Sequence, residues 1–465
     1  MHSKFLAVAA LFACPQLMLL AQAPAASAGQ TSTAPATPQA PATPALPQPG
    51  RRVPQTAPTV VAGIPVNYDE AKVGTYTLVD PLTLENGKPV KNAKTWWTKR
   101  RPEIEEIFET QQYGRDPGRP ADESFDVTDK GTPALEGKAI RKQVTISFSK
   151  DANWPQLHLL IYLPANAHKP VPMFFSISFS PVQCAVDDPG ITPEEAWDPR
   201  TNTKVMPPKG RCFFGQIPVE KFLDAGIGVA TYYYGEIDPD SLSGFPNGIR
   251  AKYLKPGQSE RAPDDWGSIA AWAWGISRVE DYFETDQAID TKRVAIHGVS
   301  RLGKTVMWAG AHDQRFAAVI ASCSGEGGAA LSHRDYGETI AHLTAPTRYP
   351  YQFAENYAHW AGFPDKAPMD ANLLVALVAP RPLLLQTGNA DYWSDPKGEL
   401  LAEVAAGPVY KLLGKDPLDT DVWPDPKVPI LHDLAYYMHQ GGHGMVPSDW
   451  DIYIDFLKMH LHPEQ

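Results

Sequence analysis

The sequence predicts an α/β fold, a three-layer sandwich whose mostly parallel central sheet carries helices on both faces. Three observations predict it. Short unbroken apolar runs recur at 171–177, 226–232, 294–297, 316–321 and 382–387, the pattern of parallel strands buried on both sides. Helical segments alternate with them, notably 218–224, 269–283 and 302–311. The 465 residues are 43% hydrophobic and 20% charged, which is ample for a large core.

Taken in order, residues 1–4 are weakly basic and 5–20 are apolar but interrupted by Pro15. Small residues follow, with Ala26-Ser27-Ala28 the favoured cleavage point of an export signal. An uncleaved anchor or a lipoprotein through Cys14 is the alternative, but the apolar run is short and broken by proline. The eight prolines between Pro35 and Pro58 favour extended polyproline II. The expected organisation is a signal peptide, 1–28, a Pro/Ala/Thr-rich linker, 29–60, acting as a semi-rigid tether or a passive leader, and one catalytic domain, 61–465. Residues 96–113 have helical spacing, and 142–148 and 157–163 alternate in period two as antiparallel strands do.

Composition excludes several classes. Lys+Arg 42 against Asp+Glu 53 gives a net charge of −11, so a general nucleic-acid surface is not expected. Four cysteines, at 14, 184, 212 and 323, are too few for a disulfide scaffold and show no paired metal spacing. Once the leader is removed, Cys184, Cys212 and Cys323 allow at most one internal disulfide, and their spacing favours no pair.

In such a sheet chemistry sits just beyond the strands' carboxyl ends. There, Arg293-Val-Ala-Ile-His-Gly-Val-Ser300-Arg-Leu-Gly-Lys304 reads as strand, tight turn and helix. A serine on that turn presents its hydroxyl above the sheet, before a helix N-terminus that favours developing negative charge. The pattern is G-x-S-x-x-G rather than the G-x-S-x-G of most nucleophile elbows, and a plain helix cap is the alternative role for Ser300. A serine nucleophile needs a base, and the base needs an orienting acid. His443, in Gly441-Gly-His-Gly, follows an apolar strand at 434–438 and precedes a final helix opened by Ser448 with Asp451 three residues on, as in a capping box. His297 and His312 read as structural. His439, four residues before His443, suggests a metal pair, but Gly441-Gly442 break the helix this needs; no metal or other cofactor is expected.

The segment Gly298-Val-Ser-Arg-Leu-Gly-Lys resembles the signature of the glucuronoyl esterases, the fifteenth family of carbohydrate esterases, which have the α/β-hydrolase fold. The resemblance extends through Tyr232–Asp240 (YYYGEIDPD), Trp272-Ala-Trp-Gly, Gly325-Glu-Gly-Gly, Tyr336-Gly-Glu338, Asp391-Tyr-Trp-Ser-Asp-Pro and Gly441-Gly-His443-Gly. It implies cleavage of esters between 4-O-methyl-glucuronic acid of xylan and lignin alcohols by a secreted or periplasmic enzyme. Its partners are then glucuronoxylan and lignin–carbohydrate esters, with no nucleic acid and no stable membrane insertion after signal cleavage. Ser300 becomes the nucleophile and Arg301 an oxyanion ligand. The acid is Asp391, after the late strand, or Glu326. The position 23 residues past the serine, where some relatives carry Glu, is Cys323, and Asp395 before Pro396 reads as a turn residue. Lys304 and Glu338 match the hydroxyl-binding positions, Trp393 the aromatic packed on the sugar, and Gln352 is a fainter match. An acetyl-xylan or other carbohydrate esterase on the same fold, and a non-catalytic carbohydrate-binding envelope protein, are the competing readings.

Overall fold

The alternation of buried residues along each strand divides the core in two. Phe175, Ile296, Val319, Leu385 and Tyr436 face one side of a sheet, where they pack with Trp272, Met307, Leu374 and Val409. Their neighbours Phe174, Ala295, Ile320, Leu384 and Ala435 face the other side and meet Phe222, Tyr453, Phe456 and Leu457. This is the period-two geometry of a pleated strand covered on both faces. The computed structural model describes residues 57–463 apart from 209–211, 256 and 259–260. The expected signal peptide, and the expected linker up to residue 56, lie outside the described residues.

The strands are β1 (Ser124–Ala134), β2 (Ala139–Ser147), β3 (Gln156–Pro164), β4 (Val171–Ser178), β5 (Gly228–Tyr233), β6 (Ile289–Val299), β7 (Ala318–Ser322), β8 (Leu383–Gly388) and β9 (Leu434–His439). Across the sheet they run β9-β8-β7-β6-β4-β5-β3-β2-β1. The six strands from β9 to β5 are parallel, and β3, β2 and β1 add to them antiparallel. Helices α1 (Arg101–Gln111), α3 (Ser268–Phe283), α4 (Arg301–His312), α5 (Ala371–Val378) and α6 (Pro396–Leu412) cover one face. Helices α2 (Val219–Asp224) and α7 (Asp449–Leu461) cover the other. The strand order with its single early crossover, the antiparallel start and the three layers make this an α/β-hydrolase fold.

Where structure and expectation differ, polar side chains are the reason. Strand β1 carries Asp126, Thr128, Asp129, Lys130 and Thr132 and is mostly exposed, so no apolar run announces it. Two register shifts interrupt its pairing, and Asp129 accepts from the Gly131 amide, Thr132 and Arg141 at the bulge. The helix expected over 96–113 begins earlier, at Ala93 behind the Asn92 cap, passes through a π turn at Trp96–Arg100, and ends at Gln111. The capping box expected at Ser448 does not form: Ser448 is itself helical, and the Asp449 carboxylate accepts from the Val446 amide at 2.8 Å. No helix among the described residues is long and apolar enough to cross a membrane.

Leu385 is fully buried on β8 between two parallel neighbours. Leu385→Ala is expected to cost about 2–5 kcal/mol of stability, read as a lower urea midpoint with an unchanged denaturant slope.

Candidate active site

Strand β6 ends at Val299 and α4 begins at Arg301, so one residue makes the whole turn. Ser300 does so with φ +59° and ψ −125°, a left-handed conformation that a side chain rarely adopts. The backbone holds it there: the Ser300 amide donates to the Ser322 carbonyl at 2.8 Å, and the Ser300 carbonyl accepts from the Lys304 amide at 3.1 Å. Both glycines of the motif are sterically required. A Cβ on Gly298 would lie 2.2 Å from the Leu302 carbonyl oxygen, and one on Gly303 2.9 Å from that of Ser322. The departure from G-x-S-x-G is thus accounted for, because the close approach to β7 falls on the third residue after the serine.

Two loops beyond β8 and β9 are laced together beside this turn. The Asn389 amide donates to His439, the Ala390 amide to Gly441, and the Gly441 amide to the Asn389 side chain at 2.8 Å. A Cβ on Gly388 would fall 2.2 Å from the Gly442 carbonyl oxygen. The lacing brings His443 Nδ1 to 2.7 Å from Asp391 Oδ2, with Ser394 Oγ 3.2 Å from the same nitrogen. Asp391 is only 4% exposed. Burial pushes its carboxyl up, but the facing His443 and hydrogen bonds from His443, Ser394 and Cys323 win and hold it below the usual carboxylate value. Cys323 is buried between Asp391 and the Gly444 backbone, its Sγ 3.4 Å from both the amide and the carbonyl of Gly444.

Glu326, the alternative acid, makes no bond to His443. Its carboxyl accepts from Ser332 Oγ at 2.7 Å and Tyr357 OH at 2.9 Å, and burial pushes it up to about 8. Asp395 also stands apart; it opens α6 in a left-handed conformation and pairs with Arg334 at 2.9 Å. His297 lies between Ser176 and Ser322, lowered to about 3 by burial, and His312 bonds Glu105 and Asp116.

Arg301 forms an ion pair with Asp240 and lies 4.8 Å over the Tyr349 ring. Asp240 also accepts from Tyr234 OH at 2.8 Å, Tyr351 OH at 2.6 Å and Gln352 Nε2 at 2.8 Å. Gln352 thus helps hold Asp240 in this structure. Lys304 is buried too, donating to the Ser324 carbonyl at 2.6 Å; burial lowers its pKa against the opposing charge of Glu338. Glu338 accepts from Arg348 at 2.7 Å, and the same guanidinium lies 5.2 Å over the half-buried Trp393.

Sequence reasoning passed over two groups. Asp240 was legible only as part of a motif, because its donors lie 6 to 112 residues away. Tyr68 comes from a segment with no motif at all; burial and the charges of Asp391 and Glu338 push its hydroxyl up to about 12. Among the described residues two groups offer ligand atoms within 4.8 Å of one another, Cys323–Asp391–His443 and His158–Glu194–Glu236. In the first, Asp391 and His443 already bond each other, and burial pushes the Cys323 thiol well up, which disfavours the thiolate a metal needs. In the second, His158 Nδ1 bonds Glu236 at 2.7 Å. Neither arrangement is a ready-made metal shell.

His439 is engaged differently from a metal ligand. Nδ1 faces Asp449 and Nε2 faces the Gly442 carbonyl, each at 3.0 Å, so the ring anchors the loop that projects His443.

The fold places the chain among the α/β-hydrolases, and comparison with known proteins makes it a carboxylic ester hydrolase. A family profile described as glucuronyl esterase, fungi, matches residues 259–414. Carbohydrate esterase MZ0003, from an unknown prokaryotic organism, is 45% identical over 85% of this chain and 92% of its own length. A glucuronoyl esterase structure from Solibacter usitatus superposes with TM-score 0.81 at 44% identity, over 84% of this chain and all of that one. The 4-O-methyl-glucuronoyl methylesterase of Cerrena unicolor is 29% identical over 76% of this chain and 65% of its own. The chain belongs to the glucuronoyl esterases of carbohydrate esterase family 15.

The His439–Asp449 pair makes a testable contribution to stability. Burial lowers the histidine's pKa, but Asp449 more than reverses this and raises it above 6.5. A raised histidine stabilises fully below its unfolded pKa, and the contribution is lost as pH rises through the folded value. Asp449→Asn should therefore cost about 3–5 kcal/mol at acid pH, and urea unfolding should show the gap to wild type narrowing as the buffer is made alkaline.

Proposed function

We propose that the chain hydrolyses esters of 4-O-methyl-glucuronic acid on xylan, releasing lignin alcohols, through Ser300, His443 and Asp391 and a covalent glucuronoyl-enzyme. The observation that carries this reading is the 2.7 Å bond from His443 Nδ1 to the depressed carboxylate of Asp391, which leaves Nε2 for the serine proton. Ser300 Oγ attacks the uronate carbonyl while Nε2 takes its proton. Negative charge then gathers on the carbonyl oxygen, where Arg301 and a backbone N–H receive it. His443 returns the proton to the departing alcohol, and water repeats the sequence to free the acid. Lys304, Glu338 and Trp393 form the sugar side, the first two as hydroxyl partners and the third as an apolar platform. Residues 1–28 serve as the export signal and 29–60 as the tether, consistent with a secreted or periplasmic place of action.

A broader carbohydrate-ester reading is kept by the name of the 45% identical relative, a carbohydrate esterase without a stated uronate. Parallel assays on benzyl glucuronate and acetylated xylan separate the two; faster turnover of the acetyl ester would overturn the uronate reading.

Ser300→Ala should reduce benzyl glucuronate hydrolysis to background while the far-UV spectrum is kept. Arg301→Ala should lower kcat by about 10²–10³-fold with little change in KM; a change confined to KM would make it a ground-state contact. Asp391→Ala should lose up to about 10⁴-fold in kcat, the precedent for a triad acid, and far more than Glu326→Ala in the same assay.

A further inference from the structure

We propose that Cys184 and Cys212 close a disulfide that staples the aromatic loop beside His443 to the core of the domain. The three described cysteines are unequal. Cys323 is enclosed by Asp391 and Gly444, with neither of the other two among its partners. Both are free thiols in this structure, and Cys212 Sγ donates to the Cys184 carbonyl. Their segments run side by side: the Phe213 amide donates to Ser180 Oγ at 3.1 Å and the Ile217 amide to the Ala185 carbonyl at 2.9 Å.

The two residues after Cys212 give the link its purpose. Phe213 is 73% exposed, while Phe214 packs edge-on to His443 with ring centres 6.0 Å apart. Both rings meet Phe179, which also lies against Arg301. An aromatic wall thus spans the base and the arginine, carried on a loop whose exposed ring contributes little burial to hold it. A covalent tie at Cys212 restrains the wall from the residue immediately before it.

The chemistry is thiol–disulfide exchange with a protein or small-molecule disulfide. The Cys212 thiolate attacks one donor sulfur and expels the other as a thiol. Cys184 then attacks Cys212 Sγ in the mixed disulfide and releases the second donor thiol. Two protein thiols are oxidised, one donor disulfide is reduced, and both protons leave with the donor thiols. Burial, with the neighbouring Cys184, pushes the Cys212 thiol up to about 12. Exchange is accordingly fastest on the chain before the loop packs, and the folded dithiol oxidises slowly.

The test equilibrates the full chain, during refolding, with oxidised glutathione or with dithiothreitol, followed by alkylation, digestion and mass spectrometry. The expected product of the oxidised sample is one peptide pair joined through Cys184 and Cys212 and lighter by two hydrogens, with Cys323 alkylated. Heating scans should show the oxidised form melting a few degrees above the reduced form, a difference that Cys212→Ser abolishes. Free alkylated Cys184 and Cys212 after oxidation, a link through Cys14 or Cys323, or equal melting of the two forms would overturn the proposal.

Discussion

The left-handed backbone of Ser300 is the constraint on which the rest of the site depends. A non-glycine residue held there costs on the order of 1–3 kcal/mol, and the surrounding structure must supply that. It does so through the parallel pairing of β6 with β7, the Ser300 amide bond to Ser322, and two glycines that let α4 settle onto the sheet. The Ser300 amide bond and the Gly303 approach need residues 300–303 to meet 322–324 closely, while Gly298 lets the first turn of α4 fold back over the end of β6. The sheet order places that neighbour alongside, and β8 and β9 come next in sequence across the same edge. Asp391 and His443 are thereby delivered by the next two strands over.

Charge around this edge follows which buried groups have an opposite charge to face. Asp391 remains an anion because His443 faces it, whereas burial pushes Glu326 and Glu399 up to about 8. Glu399 nonetheless has a mechanical part: it accepts from the Gly325 amide at 2.6 Å and from Ser324 Oγ, fixing the segment just past Cys323. At Cys323 a thiol occupies the ground next to Asp391. A second carboxylate there would set two like charges beside one histidine, and the thiol, kept neutral by burial, avoids that. Asp240 performs the complementary service for Arg301, its carboxylate engaged by four donors from three regions of the chain.

The parallel strands were legible because burial on both faces writes itself as uninterrupted apolar residues. The strand-turn-helix around Ser300 was legible because the turn demands small residues at fixed offsets. The His443 loop showed itself through its glycines. Strand β1 was hidden by its polar face, and α5, whose Leu373–Val378 are buried all round, lacks the one-sided stripe that marks a helix. Side-chain partnerships were the least legible. Nothing near Gln352 in the sequence announces that it donates to Asp240, 112 residues away. Lys304 matches a sugar-binding position by its place in the motif, but nothing local announces that its ammonium also donates to the Ser324 carbonyl, 20 residues on. Such pairings depend on chain crossings, which local spacing does not encode.

The interrupted pairing of β1 bears on how such a molecule survives at high concentration. As the last strand of the sheet among the described residues, β1 has no described strand beyond one row of its backbone donors and acceptors. A flat, apolar border of that kind recruits the border of another copy and seeds fibrils. Here Asp129 and Lys130 put charge on it, Pro133 removes an amide, and two register shifts interrupt its regular ladder. The irregularity that concealed the strand is thus what makes it a poor template for aggregation.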